Sequence, residues 1–203
     1  MAVVHRTTMT PGKLELVASW LPSQPWYEGR PGRAPELAKA GGFRLDDPEG
    51  EVGIEFMVVT DTADGVTYHV PLTYRGAPPA GAEHALVGTS EHGVLGTRWV
   101  YDGTRDPVLL AQLRALLRGE AIPQMQSESD APDPTVTVEG AHLPADAEPA
   151  VTVTRVLRAD SPATPDAPAR VTAPWHTPDG EPARGVFAVL GRTNAPLMPH
   201  QSH

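Results

Sequence analysis

The segment SWLPSQPWYEGR places Trp20, Trp26 and Tyr27 close together, with Pro22 and Pro25 stiffening the chain between them. Aromatic rings that offer an apolar face beside a polar handle can stack on sugar rings. RWVYDG supplies a second such pair, Trp99 and Tyr101. Trp26, Tyr27, Trp99 and Tyr101 are therefore the candidate ligand-binding residues. The competing use of these rings is core packing, which claims most aromatics in a chain with only 5% of them. Trp20, at the end of an apolar helical pattern, is assigned to the core.

Other chemistry finds less support. GTSEHG sets Ser90 near His92, but the spacing is not that of a nucleophile elbow and the segment reads as a polar turn. Glu83, His84, Glu91 and His92 supply metal-ligand types, yet the histidines are eight positions apart across an expected loop, which fixes no coordination geometry. DDPEGE (Asp46, Asp47, Glu49, Glu51) lacks the alternating ligands and closing Glu of a calcium loop, and reads as a charged turn. No GxxxxGK[ST], GxGxxG, HExxH or GxSxG occurs, and the lysine, paired Asp and metal-binding Asn of phosphoryl transfer are missing. No catalytic residue, metal site or cofactor is assigned.

Composition excludes further classes. A net charge of -9 with lysine only at 13 and 39 argues against a nucleic-acid surface, which needs clustered cations. The absence of cysteine removes disulfides, thiolate nucleophiles and Cys-based metal sites, and suits a reducing compartment. MAVVHRTTMTPGK has no apolar leader core, and no stretch approaches the ~20 apolar residues of a membrane helix. A cytoplasmic acidic protein is the expectation.

The elements that must position the candidates are read from periodicity. TPGKLELVASWL spaces Leu14, Leu16, Val17, Trp20 and Leu21 as an amphipathic helix, with Thr10 as N-cap, Pro11 at the first position and Pro22 as the stop. GEVGIEFMVVTDTADGVTYHVPLTYRG reads as a hairpin, in one of two registers. A two-residue Asp64-Gly65 loop pairs Val59 with Val70 and Met57 with Leu72. A three-residue Ala63-Asp64-Gly65 loop with Gly65 left-handed pairs Val58, Phe56 and Ile54 with Val70, Leu72 and Tyr74, collecting the apolar set on one face; this register is preferred. Pro71 then favours an edge or a bulge. Two short strands come next, around Ala85 to Gly88 and Arg98 to Tyr101, joined by a polar loop. DPVLLAQLRALLRG is a helix with Asp106 as N-cap, Pro107 in the first turn and Gly119 as its end. Its stripe of about five leucines buries at ~1.5–3 kcal/mol each.

Residues 123–134 have the composition of a linker, separating a domain at 1–122 from a small β-rich module at 135–191, with a disordered tail at 192–203. The fold class is α+β: an antiparallel sheet with packed helices, and after it the small β module.

The opening helix, the Trp-Leu-Pro-x-Gln-x-Trp segment, the hairpin EFMVVTDTADGVTYHVPLTYRG and the stretch LVGTSEHGVLGTRWVYDGTRDPVLLAQLRALL together resemble the N-terminal cap domain of actinobacterial maltokinases and related aminosugar kinases, over roughly residues 1–120. The resemblance implies a curved, broadly cystatin-like antiparallel sheet with helices against it, and a link to maltose, trehalose and α-glucan metabolism. In those kinases the cap precedes an ATP-binding body; here the linker and β module stand in its place, so no family catalytic residue is carried over. Short proteins of this kind are also called 1,4-alpha-glucan branching proteins, but 203 residues are too few for a branching enzyme's barrel.

These features imply a non-catalytic, stand-alone cap-like protein that binds or regulates, with a carbohydrate-active enzyme, a kinase or an oligosaccharide as partner. The alternatives are an enzyme with an unfamiliar site acting on a sugar or sugar phosphate through His69, His92 or the carboxylates, and a homodimer built on an exposed strand edge.

Overall fold

A computed structural model describes residues 9–128, 130–140, 149–159 and 167–191. The helices are α1 (Lys13–Trp20) and α2 (Pro107–Leu117). The strands are β1 (Met9–Thr10), β2 (Leu37–Leu45), β3 (Gly53–Asp61), β4 (Val66–Arg75), β5 (Leu86–His92), β6 (Gly96–Asp102), β7 (Gln124–Met125), β8 (Thr137–Gly140), β9 (Val151–Val153), β10 (Val156–Leu157), β11 (Ala169–His176) and β12 (Pro182–Leu190). They form one antiparallel sheet in the order β1-β5-β6-β4-β3-β2-β11-β12-β9. An antiparallel sheet with two short helices is α+β in the broad sense. The tail expected at 192–203 lies outside the described residues.

The β3–β4 hairpin forms, in neither of the expected registers. Asp61 pairs with Val66, leaving the four-residue loop Thr62-Ala63-Asp64-Gly65, and Met57 faces Val70 while Phe56 faces Pro71. Asp61 sets the loop length: its carbonyl accepts from Gly65 N–H (2.8 Å), its carboxylate accepts from Ala63 N–H (3.1 Å), and Gly65 takes the expected positive φ of 71°. Collecting all apolar residues on one face was the wrong criterion, because both faces of this hairpin are covered. Ile54, Phe56 and Val58 enter one core; Met57, Val59, Tyr68, Val70 and Leu72 enter another. Pro71 lies neither on a sheet edge nor at a bulge. His69 N–H donates to Arg155 O (2.8 Å), and pairing with β6 begins at Leu72, so Pro71 sits where β4 changes neighbour and no donor is needed.

Helix α1 starts two residues later than expected. Gly12 is the N-cap, with its N–H donating to Glu15 Oε2 (2.6 Å), while Thr10 belongs to β1 and Pro11 precedes the cap. Strands β5 and β6 extend through the expected polar loop, so Ser90 and His92 lie on a strand and the turn is confined to 93–95. Helix α2 begins as expected: Asp106 Oδ1 accepts from Val108 N–H (2.9 Å). Leu109, Leu113, Leu116 and Leu117 are buried, and Leu110 is half-buried.

The segment of linker composition contributes β7, which pairs with β2, and the strands beyond it join the same sheet through Trp175 opposite Gly41. Gly42, beside that junction, has φ of 126°, and a Cβ there would lie 2.3 Å from Phe56 O, so only glycine fits. β9 pairs with β12, and β10, separated from β9 by Thr154 and Arg155, pairs with β4. The ladder therefore runs in a circuit: β4, β3, β2, β11, β12, then back to β4 through β9–β10. Within it Phe43, Phe56, Trp175, Phe187 and the α2 leucines form one core. Helix α1 covers the opposite face of β3 and β4.

Candidate functional site

Trp26 and Tyr27 come after α1 and the short 3-10 turn at Leu21–Ser23, and lie against the α1 face of β4. Trp26 meets Trp20 edge-on at 5.8 Å and Tyr68 at 6.0 Å, while Tyr27 lies 5.6 Å from Tyr68. Tyr68 is fully buried, its hydroxyl accepts from Glu28 N–H (3.1 Å), and burial pushes its pKa up to about 12, so it stays protonated. The Tyr27 hydroxyl points to Asp61 Oδ2 at 3.5 Å and passes so close to Gly29 that a Cβ there would sit 2.0 Å from it.

The segment between β9 and β10 reaches across this cluster. Arg155 places its guanidinium over the Trp26 ring at 4.8 Å. Its Nη2 donates to both carboxylate oxygens of Asp102 (2.7 and 2.5 Å) and to Thr104 Oγ1 (2.6 Å). Arg158 donates to both oxygens of Glu28 (2.9 and 2.7 Å). Trp26 is thus the hub at which α1, β4 and the strand-closing segment meet. Tyr68, Asp102 and Arg155 escape a reading of the sequence; the only trace they leave is an arginine at each end of RVLR, and nothing local says what those arginines pair with.

Trp99 and Tyr101 are not part of this cluster. Cross-strand partners point to one face of a sheet, and Tyr101 pairs with Thr73, which pairs with Ile54 of the α2 core. The sheet therefore separates the two candidate pairs. Tyr101 is buried at 4% exposure. Trp99 is half-buried between Thr89 and Arg75, and among the described residues its ring meets no other ring or cation.

Two further groups bury charge or titratable atoms. Glu55, 4% exposed, accepts from Lys13 Nζ (2.5 Å), Tyr74 OH (2.6 Å) and Gln126 Nε2 (2.6 Å). Burial pushes the Glu55 pKa up, but the Lys13 ammonium and the three hydrogen bonds outweigh it and hold the carboxyl below its usual range. His69, fully buried, lies 4.5 Å from the Phe187 ring and 5.9 Å from Phe56. Its Nδ1 is 2.9 Å from Thr154 O, a pure acceptor, so Nδ1 carries the proton and Nε2 is left without a partner. Burial lowers its pKa to about 3, so the ring is neutral and sealed from solvent.

His92 Nδ1 accepts from the N–H groups of Val94 and Leu95 (3.3 and 3.1 Å) and braces the turn, while Ser90 Oγ donates to Pro11 O (2.7 Å). Asp47 spends its carboxylate on the N–H groups of Glu49, Glu51 and Val52. Among the described residues no group of three His, Cys, Asp or Glu could hold a metal ion, and no helix is long and apolar enough to cross a membrane.

Residues 20–106 match the profile of the family described as the maltokinase N-terminal cap domain. The match spans the Trp20–Tyr27 segment, the β3–β4 hairpin and β5–β6, and ends at the N-cap of α2. No curated protein matches the chain.

Proposed function

Residues 20–106 belong to the maltokinase N-terminal cap domain family, and from that premise we propose that the chain is a non-catalytic binding or regulatory protein of maltose, trehalose and α-glucan metabolism, acting in the cytoplasm. It docks on a kinase or another carbohydrate-active enzyme, or holds an oligosaccharide. The cystatin-like curvature implied by the family resemblance belongs to the same reading.

The observation that carries it is the use made of the chain beyond the cap. Strands β10 and β11 pair with β4 and β2, and Trp175 and Phe187 of β11 and β12 enter the cap's own core, so these described strands serve to complete a scaffold. The side chains an unfamiliar enzyme would need are meanwhile engaged: His69 is enclosed between phenylalanines, His92 braces a turn, and Glu55 is neutralised by Lys13. Trp26 and Tyr27 on one face, and Trp99 on the other, are the recognition surfaces of this reading; Tyr101, 4% exposed, supports Trp99's strand from within. Affinity capture with the purified chain as bait tests it. The expected result is recovery of an identified maltose- or α-glucan-acting enzyme, or of malto-oligosaccharide; recovery of neither overturns it.

A further inference from the structure

Helix α1 packs on β5 from the side of Gly88, where Leu16 closes to 2.7 Å of an added Cβ, and of Ser90. The opposite side of the same strands presents Thr89, Trp99 and Arg75 as one cross-strand row and Thr10, Glu91 and Thr97 as the next. Thr10, Thr89 and Glu91 are exposed; Thr97, Trp99 and Arg75 are half-buried. The polar groups are already oriented: Thr97 Oγ1 donates to Glu91 Oε1 (2.7 Å), and the Arg75 guanidinium is clamped by both oxygens of Asp106 (2.8 Å each). β1 takes the outer edge of β5 along this row, which makes the feature a face and not a strand edge open to an extended peptide.

We propose that this face is a binding platform for a neutral oligosaccharide, with the Trp99 ring stacking on a sugar and the hydroxyls, Glu91 and Arg75 bonding its hydroxyl groups. The inference rests on the carbohydrate reading above and gives that reading a site. Three features select the ligand class. A ring surrounded by mixed donors and acceptors suits a ligand that has an apolar face and many hydroxyls. One carboxylate and one already paired guanidinium leave no surplus charge for an anion. The chain's net charge of -9 further disfavours phosphorylated or acidic ligands. Trp99 is also the candidate ring least engaged by its own protein, since Trp26 stacks on Arg155, Tyr27 packs on Tyr68 with its hydroxyl toward Asp61, and Tyr101 is buried.

The test is titration of the full chain with maltoheptaose, read by tryptophan fluorescence and calorimetry, on wild type, Trp99→Ala, Trp99→Phe and Trp26→Ala. Binding by wild type, weakened roughly tenfold or more by Trp99→Ala and largely kept by Trp99→Phe, is expected. Far-UV circular dichroism and the melting temperature establish that each variant is folded. Binding that survives Trp99→Ala but is lost in a folded Trp26→Ala moves the site to the other face and overturns this inference while leaving the carbohydrate reading intact. If wild type binds no maltoheptaose, the platform is refuted, and the fate of the broader reading is decided by the captured partner.

Discussion

His69 shows how a single residue can be conspicuous in the sequence and silent in chemistry. Its ring is neutral because desolvation by Phe56, Phe187 and the strands around them far outweighs the hydrogen bond to Thr154. The folded-state pKa of about 3 lies below the ordinary 6.5, so between those values the unfolded chain binds a proton that the folded chain refuses. Stability is complete above pH 6.5 and falls with decreasing pH through that window, by up to about 1.4 kcal/mol per pH unit. Urea titrations at pH 6 and 4.5 should show this slope in wild type and lose it in His69→Gln; an unchanged slope in the variant contradicts the account. Glu55 has the same sign at lower pH, since its depressed pKa gives stability that disappears as the carboxylate protonates. Trp26→Ala removes the ring shared by Trp20, Tyr68 and Arg155 and should cost about 3–5 kcal/mol. Chemical denaturation measures it, and a loss below about 1 kcal/mol makes Trp26 a surface residue free to serve a ligand.

Among the elements, α2 was the most legible, because its signals are local: Asp106 caps it, Pro107 starts it, and the leucine spacing names its buried side. The structure adds that Asp106 also holds Arg75 and Thr73 of β4, tying the helix start to the sheet. Asp106→Ala should therefore cost more than an ordinary cap, about 2–4 kcal/mol against the usual ~1, by leaving Arg75 unpaired. A cost near 1 kcal/mol in denaturant titration makes the Arg75 contact incidental. The β3–β4 hairpin was legible as a hairpin but not in its register, since period-2 alternation identifies a buried face only when the other face is wet. Here Ile54 through Asp61 are buried without interruption, which erases that signal. The caps of α1 and the ends of β5 and β6 depend on pairing with β1, a contact spanning some eighty residues that no local pattern encodes.

For the whole molecule, the decisive feature is the return of the chain after residue 134 to close the circuit on β4 and complete the core around Phe43, Phe56, Trp175 and Phe187. Composition alone marked residues 123–134 as a linker and the β-branched runs beyond it as a module, because a polar stretch and a strand that docks far along the chain look the same in sequence. Residue type alone singles out the aromatic candidates, and only the topology shows that Trp26 and Trp99 lie on opposite faces of the sheet. A chain ending at residue 134 should lack the cover over Phe56 and His69, and its melting transition should be lost or shifted down by at least about 10 °C; a transition as sharp and as high as that of the full chain shows that the first part is self-sufficient. The central claim of the proposed function is that this protein works through contact surfaces and not by turnover. The most direct measurement monitors the purified chain with maltose and ATP, and separately with maltoheptaose, by phosphorus and proton NMR over many hours. No phosphorylated sugar and no change in chain length is the predicted result, whereas steady product formation that ceases on one point substitution in the chain contradicts the account.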